Sequence, residues 1–187
     1  MWSEMLSHWD DWAHPLRPNE EDVRSISKHI FGECVLVLGA TPELQHLATD
    51  VADIEFNGID WMAMPYADET FDCVISDGAL IVAGPNVVHH ALRVLKPGGK
   101  FIARTFLRHT SKRLTNNFHI KKFQIADQLY FPVQKFYDVF GDHPTTRAYN
   151  GSSDVYYFPL ASDLIGATLH YPSYEFGEFY PVAVWTK

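Results

Sequence analysis

An apolar run that ends at a glycine and is followed at once by a helix start constrains this chain more than any other feature. The run is Val35–Leu38, Gly39 ends it, and Thr41 and Pro42 follow. Threonine is a common helix cap, and proline is tolerated in the first helical turn because its missing N–H is not needed there. This order is typical of a buried parallel strand that turns tightly beneath a helix N-terminus. Open α/β sheets hold nucleotide-like ligands at such turns, so the segment predicts both an α/β fold and a ligand site.

The segments around this run predict alternating helices and strands. Asn19 is a candidate N-cap, and the three acidic residues after it suit a helix dipole. Apolar residues at helical spacing then continue this first helix as far as Gly32. Strands are predicted at 34–38, 51–56, 59–62, 71–76 and 100–106, helices at 42–49 and 87–95, and a closing antiparallel hairpin at 169–186. The order implies a mostly parallel sheet with helices on both faces.

The length and composition fit one domain, residues 1–187. The chain has 187 residues, 47% of them hydrophobic, which is enough for a sizeable core. We expect a helical N-terminal lid at 1–32 and an insertion at 107–154. No apolar run approaches the roughly 18 to 20 residues needed to span a bilayer, and the N-terminus lacks a signal-peptide pattern. A soluble cytoplasmic protein without a membrane partner is the expectation.

Cysteines and histidines give no sign of a disulfide or a metal centre. Cys34 borders the first apolar strand and Cys73 lies within a later one, so both are expected to be small buried thiols. The ten histidines show none of the spacings of a known metal site. The adjacent His89 and His90 would point to different sides of their helix. We therefore expect no metal.

The charge is distributed unevenly along the chain. The net charge is −8, yet no acidic residue occurs from Gly78 to Ala126. The basic residues of this stretch are Arg93, Lys96, Lys100, Arg104, Arg108, Lys112, Arg113, Lys121 and Lys122. Two interpretations remain open: a surface that attracts an anionic substrate, or opposite charges that neutralise one another within the fold. The negative sign of the whole protein argues against general nucleic-acid binding.

Three segments between residues 35 and 106 form a consistent pattern. The first is Val35–Leu44, which contains the glycine turn, and the second is Asp60–Asp77, with an acidic residue, a Met-Pro-Tyr loop and a Phe-Asp-Cys-Val strand. The third is Ala91–Arg104, a helix end, a Lys-Pro-Gly-Gly turn and a strand. In order and spacing they resemble the class I S-adenosylmethionine-dependent methyltransferases. The resemblance implies a Rossmann-like methyltransferase fold with a seven-stranded-type sheet, and S-adenosylmethionine as the cofactor.

The resemblance assigns the cofactor loop and the adenine contacts. Gly39, with Ala40 and Thr41, would let the backbone approach the cofactor closely, because a side chain at Gly39 would occupy its space. Asp60 and Trp61 would flank the adenine, the carboxylate accepting from the exocyclic amine and the indole packing on the ring. Each residue also has an ordinary interpretation. Gly39 can be a turn glycine, Asp60 a solvated acid and Trp61 a core aromatic.

The resemblance also assigns the methionine end of the cofactor. Ser76, Asp77 and Gly78 follow the strand at 71–76 and would face the methionine moiety and the transferring methyl group. Arg17 precedes the first helix and would pair with the cofactor carboxylate. The alternatives are an ordinary Asp-Gly turn and a surface arginine.

Two departures from the family pattern concern the loop and the length. Of the family's three loop glycines only Gly39 remains, with Thr41 and Glu43 at the other two places. Glu43 disfavours a phosphate, which argues against a dinucleotide and is compatible with a sulfonium cofactor. Only 38 positions separate Gly39 from Asp77, so the helix between the second and third strands is expected to be missing. The family's ribose-binding acid has two candidates, Asp53 and Glu55.

The leading hypothesis is a methyltransferase that acts on a small acceptor, with the basic stretch favouring an anionic one. His109 and His119 are candidate bases by residue type and position alone, so the sequence assigns no catalytic residue. A second hypothesis is a methyltransferase-like protein that binds the cofactor in a regulatory or scaffold role without catalysis. A nicotinamide dehydrogenase is a third, disfavoured by the missing triple-glycine fingerprint. The pattern does not predict an oligomeric state.

Overall fold

The fold is described from a computed structural model. It describes residues 18–54, 56–107, 130–132, 155–157, 159–174, 177 and 180–187. The helices are α1 (Glu20–Ser27), α2 (Ala79–Ala83) and α3 (Asn86–Val94), with 3-10 turns at Pro42–Leu47 and Ala161–Asp163. The strands are β1 (Val35–Leu38), β2 (Asp50–Ala52), β3 (Phe71–Asp77), β4 (Leu95–Arg104), β5 (Tyr130–Pro132), β6 (Val155–Tyr157), β7 (Thr168–His170) and β8 (Val182–Thr186).

One six-stranded sheet, in the order β2-β1-β3-β4-β8-β7, organises the described chain. Strands β2, β1, β3 and β4 are parallel, whereas β8 is antiparallel to β4 and β7 is antiparallel to β8. Strands β5 and β6 form a separate antiparallel pair. The predicted mostly parallel α/β sheet with a C-terminal antiparallel hairpin is confirmed.

Both faces of the sheet are covered, as the unbroken apolar run of β1 requires. All four residues of β1 are buried. Val35 and Val37 pack with Ile26 of α1 on one face, and Leu36 and Leu38 pack in the cluster that contains α2 and α3 on the other. The prediction of helices on both faces is therefore confirmed. The short helix α2 was missing from the sequence-based prediction, which placed only a turn after β3.

The crossover from β2 to β3 differs from its prediction. The strand predicted at 59–62 is wrong, because this segment is a turn in which Asp60 Oδ1 accepts from the Met62 N–H at 2.8 Å. Strand β2 ends at Ala52 rather than at 56, because Asp53 Oδ1 accepts from the Phe56 N–H and turns the chain. Among the described residues of this crossover no helix occurs, in agreement with the expected loss.

Side chains of the crossover cover the edge strand β2. Asn57 Nδ2 and Tyr66 Oη both donate to the Val51 carbonyl, at 2.6 and 3.4 Å. Trp61 Nε1 donates to the Ala52 carbonyl at 2.6 Å. Burial raises the pKa of Tyr66 to about 12, and Asp50 adds to the effect, so the phenol remains a donor at neutral pH. Asn57 and Tyr66 therefore occupy a carbonyl group that an exposed sheet edge would present to other chains, whereas the Ala52 carbonyl also accepts from the Gly39 N–H at the end of β1.

The two cysteines differ in exposure. Both are free thiols, and Cys73 is buried, but Cys34 is exposed, which corrects the expectation for that residue. Cys34 lies ahead of β1, where the chain enters the sheet, rather than inside the strand. The Cys73 Sγ lies 3.4 Å from both the N–H and the carbonyl oxygen of Phe31, and burial raises the pKa of its thiol.

The described basic residues of the 78–126 stretch are mostly paired within the fold. Arg93 pairs with Asp68 and Lys96 with Asp72, each at 2.7 Å. The Lys100 ammonium lies 5.4 Å from the centre of the Phe31 ring. Together with the pairing of Arg104 described below, these contacts favour neutralisation within the fold for this part of the stretch. The remaining basic residues, from Arg108 onward, lie outside the described residues.

The N-terminal helix is present, but most of the predicted lid and insertion lie outside the described residues. The predicted first helix is present as α1, capped by Asn19 in a reciprocal capping box with Asp22. Residues 1–17 and most of the predicted insertion at 107–154 lie outside the described residues, so the lid, the insertion and the single-domain organisation stay predictions. In the described ranges, no helix combines the length and the apolar character that a membrane span requires.

His29 makes the stability of the fold dependent on pH. Its ring lies 4.1 Å from that of His170, and its Nε2 is buried without a hydrogen-bond partner among the described residues. Burial, followed by His170, Lys28 and Lys100, lowers the pKa of His29 from 6.5 to about 4. The unfolded chain takes up a proton below its pKa of 6.5, whereas the folded chain does not. The free energy of unfolding should therefore fall as the pH drops from 6.5 toward 4.

Replacing His29 with asparagine should reduce this acid-induced loss. Urea unfolding of the wild-type protein and the variant at about pH 7 and about pH 5 measures it. The exposed His46, replaced in the same way, is the matched control and should leave the pH dependence unchanged. An equally steep loss in the wild-type protein and the His29→Asn variant would contradict this origin of the acid sensitivity.

Candidate functional site

The carboxyl ends of the four parallel strands β2, β1, β3 and β4 lie at the same end of the sheet. Leu38 pairs with Ala52 of β2 and with Ser76 of β3, and Ser76 pairs with Ala103 of β4. The segments that follow these strands are the ones to which the sequence assigns the ligand site. The register therefore brings the loop after β1 beside the turn after β3, at the position where open α/β sheets bind ligands.

The loop after β1 depends on Gly39. Its φ is +90°, a conformation that disfavours other residues, and its N–H donates to the Ala52 carbonyl at 2.9 Å. A Cβ at this position would lie 3.4 Å from Cζ2 of Trp61, so the indole occupies the space beside the glycine. The following Ala40 N–H donates to Asp53 Oδ2 at 3.0 Å. Because it has no side chain, Gly39 adopts this left-handed conformation and also lets Trp61 pack against its backbone.

The segment after this turn corrects one expectation. Pro42–Leu47 forms a 3-10 turn instead of an α-helix, and Thr41 makes no side-chain capping hydrogen bond. Thr41 is nevertheless 3% exposed, so its side chain packs into the protein. The predicted helix cap is therefore wrong, while the position of Thr41 beside Gly39 and Ala40 is as expected.

The two predicted adenine neighbours behave differently. Trp61 is 2% exposed and lies against Gly39, so the structure brings these two predicted residues together. Asp60, one residue earlier, directs Oδ1 to the Met62 N–H of its own turn. The structure thus gives Trp61 a core-packing contact at the site and gives Asp60 a turn-forming contact.

Asp53 bridges the ends of β1 and β2. It is fully buried, with Oδ2 accepting from Ala40 and Oδ1 accepting from Phe56 at 3.0 Å. Backbone N–H donors stabilise a buried carboxylate, so Asp53 fixes the loop after Gly39 through its charge. The other candidate for the ribose contact, Glu55, lies outside the described residues, as does Arg17.

In the turn after β3, the described residues leave space beside the backbone of Gly78. Ser76 Oγ is fully buried and accepts from the Ala79 N–H at 3.1 Å, which fixes the start of α2. Gly78 has a φ of +82°, and a Cβ there would meet no atom of the described residues within 4 Å. Its N–H donates to the Arg104 carbonyl at 3.1 Å. The space over Gly78 is thus open, in contrast to the filled space at Gly39.

A buried ion-pair network flanks this turn. Arg104 at the end of β4 donates from Nε to Asp77 Oδ1 at 2.6 Å and from Nη2 to Asp77 Oδ2 at 3.3 Å. Its Nη1 donates to Asp22 Oδ2 of α1 at 3.1 Å. The side chains of Arg104 and Asp22 are 5% and 2% exposed. The network therefore joins β3, β4 and the N-terminal helix in a site of low solvent access.

Two tyrosines complete the surroundings of Arg104. Tyr174 Oη donates to Asp22 Oδ1 at 2.8 Å, and the guanidinium lies 5.8 Å from the centre of the Tyr180 ring. Burial raises the pKa values of both phenols, and Asp22 raises them further. Both phenols therefore stay protonated at neutral pH, and Tyr174 acts as a donor to Asp22.

The protonation equilibria of the network reflect its excess of carboxylates. Burial raises the pKa of Asp77, the Arg104 guanidinium opposes that shift, and the charges of Asp22 and Glu43 reinforce it. Burial lowers the pKa of Arg104, but Asp77 and Asp22 outweigh this effect, so its net shift is upward. Arg104 is thus a permanent cation shared by two carboxylates.

Sequence reasoning missed this network. Arg104 was counted only as one of the basic residues, and Asp22 only as an acid in a first helical turn. One signal was present: Arg104 ends an otherwise apolar strand, where a buried arginine needs carboxylate partners. The identity of the partners, which are 27 and 82 residues away in the chain, has no local signature.

A separate groove of about 380 Å³ lies between α2, α3 and the turn near Leu164. Its lining residues are Leu80, Pro85, Val88, His89, Leu92, Tyr157, Asp163, Leu164, Ile165 and Trp185. None of the predicted site residues that the structure describes lines it. No group of three or more potential metal ligands occurs among the described residues.

One family model matches more than half of this chain. A family model described as a methyltransferase domain matches residues 39–149. This match begins at the glycine that ends β1 and includes the turn after β3. No curated protein matches the chain.

Solved structures share the fold at low sequence identity. A possible histamine N-methyltransferase from Thermotoga maritima is 14% identical, with a TM-score of 0.53, covering 98% of this chain and 93% of that one. The 1,6-didemethyltoxoflavin-N1-methyltransferase of Burkholderia thailandensis, solved with S-adenosylhomocysteine, is 12% identical, with a TM-score of 0.56 and coverages of 100% and 86%. A Rhodobacter sphaeroides protein described as a putative Zn-dependent alcohol dehydrogenase is 14% identical, with a TM-score of 0.62 and coverages of 100% and 97%. At these identities the likeness shows the fold alone.

Replacing Arg104 with methionine should lower the free energy of unfolding by about 3 to 5 kcal/mol, because Asp22 and Asp77 would stay buried without a cation. The guanidinium opposes the upward shift of the Asp77 pKa, so that pKa rises further when Arg104 is removed. The loss should therefore shrink as the pH is lowered from about 8 to about 5. Urea unfolding across this pH range measures both effects.

Arg93 provides the control for this experiment. It also bonds one carboxylate, Asp68, and two carbonyl groups, but its side chain is 31% exposed and that of Asp68 is 71% exposed. Arg93→Met should cost less and show no comparable relief at low pH. Equal, pH-independent losses in the two variants would refute the role of burial in the Arg104 network.

Proposed function

The chain belongs to the family of methyltransferase domains, and from this premise we propose that it transfers the methyl group of S-adenosylmethionine to a small-molecule acceptor. The match covers more than half of the chain, and the sheet has the Rossmann-like architecture. The predicted membership of the class I S-adenosylmethionine-dependent methyltransferases is therefore confirmed, and the cofactor of this family is S-adenosylmethionine.

The observation that carries the proposal is the juxtaposition of two backbone turns at adjacent strand ends. Gly39 turns the chain after β1, and Gly78 turns it after β3, with left-handed φ values in both. The open space over Gly78 suits close approach of a ligand to the backbone. Residues 39–41 and 76–78 are proposed as the cofactor-binding segments, with Asp60, Trp61 and Arg17 as further contacts.

The chain's own residues fit the binding and orientation of this cofactor. Asp53 holds the Ala40 N–H in place, and Ser76 holds the Ala79 N–H, so neither turn needs to rearrange when a ligand binds. When bound, the cofactor supplies a methyl group on a positively charged sulfur. The protein's contribution is to fix that group in line with the acceptor and to exclude water.

The acceptor is proposed to be small and anionic. The support is the basic stretch after β4, where Arg108, Lys112, Arg113, Lys121 and Lys122 occur without an acidic residue. The basic residues before Arg108 are a weaker source of attraction, because Arg93, Lys96 and Arg104 already pair with carboxylates. The proposed attraction of an anionic acceptor therefore depends on the five basic residues from Arg108 to Lys122.

A second candidate function is cofactor binding without methyl transfer. It is favoured by the loop that retains one glycine of three, and by the missing crossover helix. A protein of this kind would bind S-adenosylmethionine or S-adenosylhomocysteine in a regulatory or scaffold role.

Calorimetry should detect binding of S-adenosylmethionine and S-adenosylhomocysteine but not of NAD. Gly39→Arg should abolish binding, because the side chain would enter the space shared by Trp61 and the proposed cofactor. Gly98→Arg is the control for the backbone conformation: Gly98 has a similar φ of +78°, a Cβ there would meet no described residue within 4 Å, and it lies near the amino end of β4. Because Gly39 is buried and Gly98 is exposed, circular dichroism must show that Gly39→Arg is folded before its loss of binding is assigned to the site.

Turnover separates the two candidate functions. Formation of S-adenosylhomocysteine with a panel of small carboxylate-bearing and phosphate-bearing acceptors would establish catalysis. Binding without turnover for any acceptor would favour the regulatory role. If neither adenosyl compound binds and Gly39→Arg changes nothing, the proposed cofactor site is wrong.

A further inference from the structure

Thr105, the first residue after β4, has a buried hydroxyl group. The residue is 2% exposed, and its Oγ1 has no hydrogen-bond partner among the described residues. Burying a polar group without a hydrogen bond costs free energy, because the group has lost its contacts with water and gained none in exchange. Such groups are uncommon in native proteins, and each calls for an explanation such as a functional role or a bound molecule.

The backbone places Thr105 beside the turn after β3. Asp77 pairs with Arg104 in the sheet, and the N–H of the next residue, Gly78, donates to the Arg104 carbonyl at 3.1 Å. Gly78 and Thr105 are therefore neighbours on adjacent strands. A Cβ at Gly78 would meet no atom of the described residues within 4 Å. The hydroxyl of Thr105 thus belongs to a residue next to space that the described residues leave open.

The side chain of Thr105 lies on the face of the sheet that α2 and α3 cover. Side chains alternate between the two faces along a strand. Arg104 faces α1, whereas Ala103 and Leu107 belong to the cluster that contains α2 and α3. The Thr105 N–H donates to the Pro181 carbonyl at 3.1 Å, so the pairing with β8 continues through this residue. Thr105 is therefore separated from the Arg104 ion pairs by the sheet itself.

These surroundings restrict the chemical group that the hydroxyl can bind. The neighbours on this face, Ala103 and Leu107, are apolar and buried. A single hydroxyl does not compensate for removing a charged group from water. It can donate to or accept from an uncharged group such as a hydroxyl, an amide or a ring nitrogen. The group that meets Thr105 is therefore expected to be polar and uncharged.

The strand order assigns this group to the acceptor rather than to the cofactor. The proposed cofactor segments 39–41 and 76–78 follow β1 and β3. Thr105 follows β4, which lies on the side of β3 away from β1. Because neighbouring strands are about 4.8 Å apart, Thr105 lies one strand spacing beyond the turn at Gly78. A molecule that receives the methyl group must lie next to the cofactor, and Thr105 borders that position.

We propose that Thr105 Oγ1 forms a hydrogen bond with an uncharged polar group of the methyl acceptor, such as a hydroxyl, an amide or a ring nitrogen. The inference rests on the proposed function, since it takes the turn after β3 as the place of the transferring methyl group. The acceptor then combines an anionic group, attracted by the basic stretch, with an uncharged polar group held at Thr105. Thr105 is a specificity-determining residue.

Protein stability tests whether the hydroxyl lacks a partner in the free protein. Thr105→Val removes the hydroxyl at nearly constant size and should leave the midpoint of urea unfolding unchanged or raise it. Thr49→Val is the matched control, because Thr49 Oγ1 donates to the Val35 carbonyl at 3.0 Å and accepts from the Val35 N–H at 2.9 Å. The control should lower the midpoint. An equal drop in both variants would overturn the inference.

Turnover tests the contact with the acceptor. The panel consists of small carboxylate-bearing and phosphate-bearing compounds that also have a hydroxyl, an amide or a ring nitrogen, and the compound that the wild-type protein methylates fastest is used. Thr105→Val should lower kcat/KM by about five- to thirtyfold, as expected for the loss of one hydrogen bond to a buried group. Thr105→Ser, which keeps the hydroxyl, and Thr49→Val should retain most of it. Calorimetry should show unchanged affinity for S-adenosylmethionine in all three variants.

The remaining outcomes count against the inference. An unchanged kcat/KM in Thr105→Val would show that the hydroxyl binds only water, and an equal loss in Thr105→Ser would show that the methyl group matters instead. Weaker binding of S-adenosylmethionine to Thr105→Val would assign the hydroxyl to the cofactor. If the wild-type protein methylates no acceptor, the proposed function fails and the inference fails with it, so the two failures are distinguishable.

Discussion

The structure at the carboxyl end of the sheet depends on the hydrogen-bonded ion pairs of the Arg104 guanidinium. It is anchored on β4 and bonds Asp77 of β3 and Asp22 of α1. A buried ion pair is stable only when its geometry is complete, since each charge alone is costly to remove from water. The N-terminal helix must therefore be docked before the turn after β3 has its native electrostatic environment. The docking of α1 and the native arrangement of the turn after β3 therefore depend on each other.

This dependence explains why local patterns predicted the framework better than the site. The apolar run of β1 and the glycine that ends it are local signals that lie where the sequence predicted them, whereas residues 96–99, predicted as a turn, belong to β4 (Leu95–Arg104). The contact between Asp22 and Arg104 spans 82 residues and involves ordinary residue types. Nothing in a linear pattern specifies which acid will meet which base.

The incorrect predictions for the crossover between β2 and β3 have a similar physical basis. Apolar residues around Asp60 suggested a strand, but the carboxylate forms a turn with the Met62 N–H, a competition that short polar side chains often win. Trp61 then packs against Gly39, so the one glycine retained in the loop serves the protein's own core as well as the proposed ligand space. Asp53, the first residue after β2, bridges this strand to the loop after β1 by accepting from the Ala40 N–H.

The side chains that cover β2 set how this sheet can meet other chains. Asn57 and Tyr66 occupy the Val51 carbonyl, so a strand added beside β2 would have to displace them. In the described sheet the opposite edge is β7, whose three residues are exposed or half-buried. Of the two edges of the described sheet, β2 is therefore the one that the crossover closes, and β7 lies next to the segment that holds α1 through Ser173 and Tyr174. Displacing that segment would remove a hydrogen bond from Asp22 and so change the surroundings of the site.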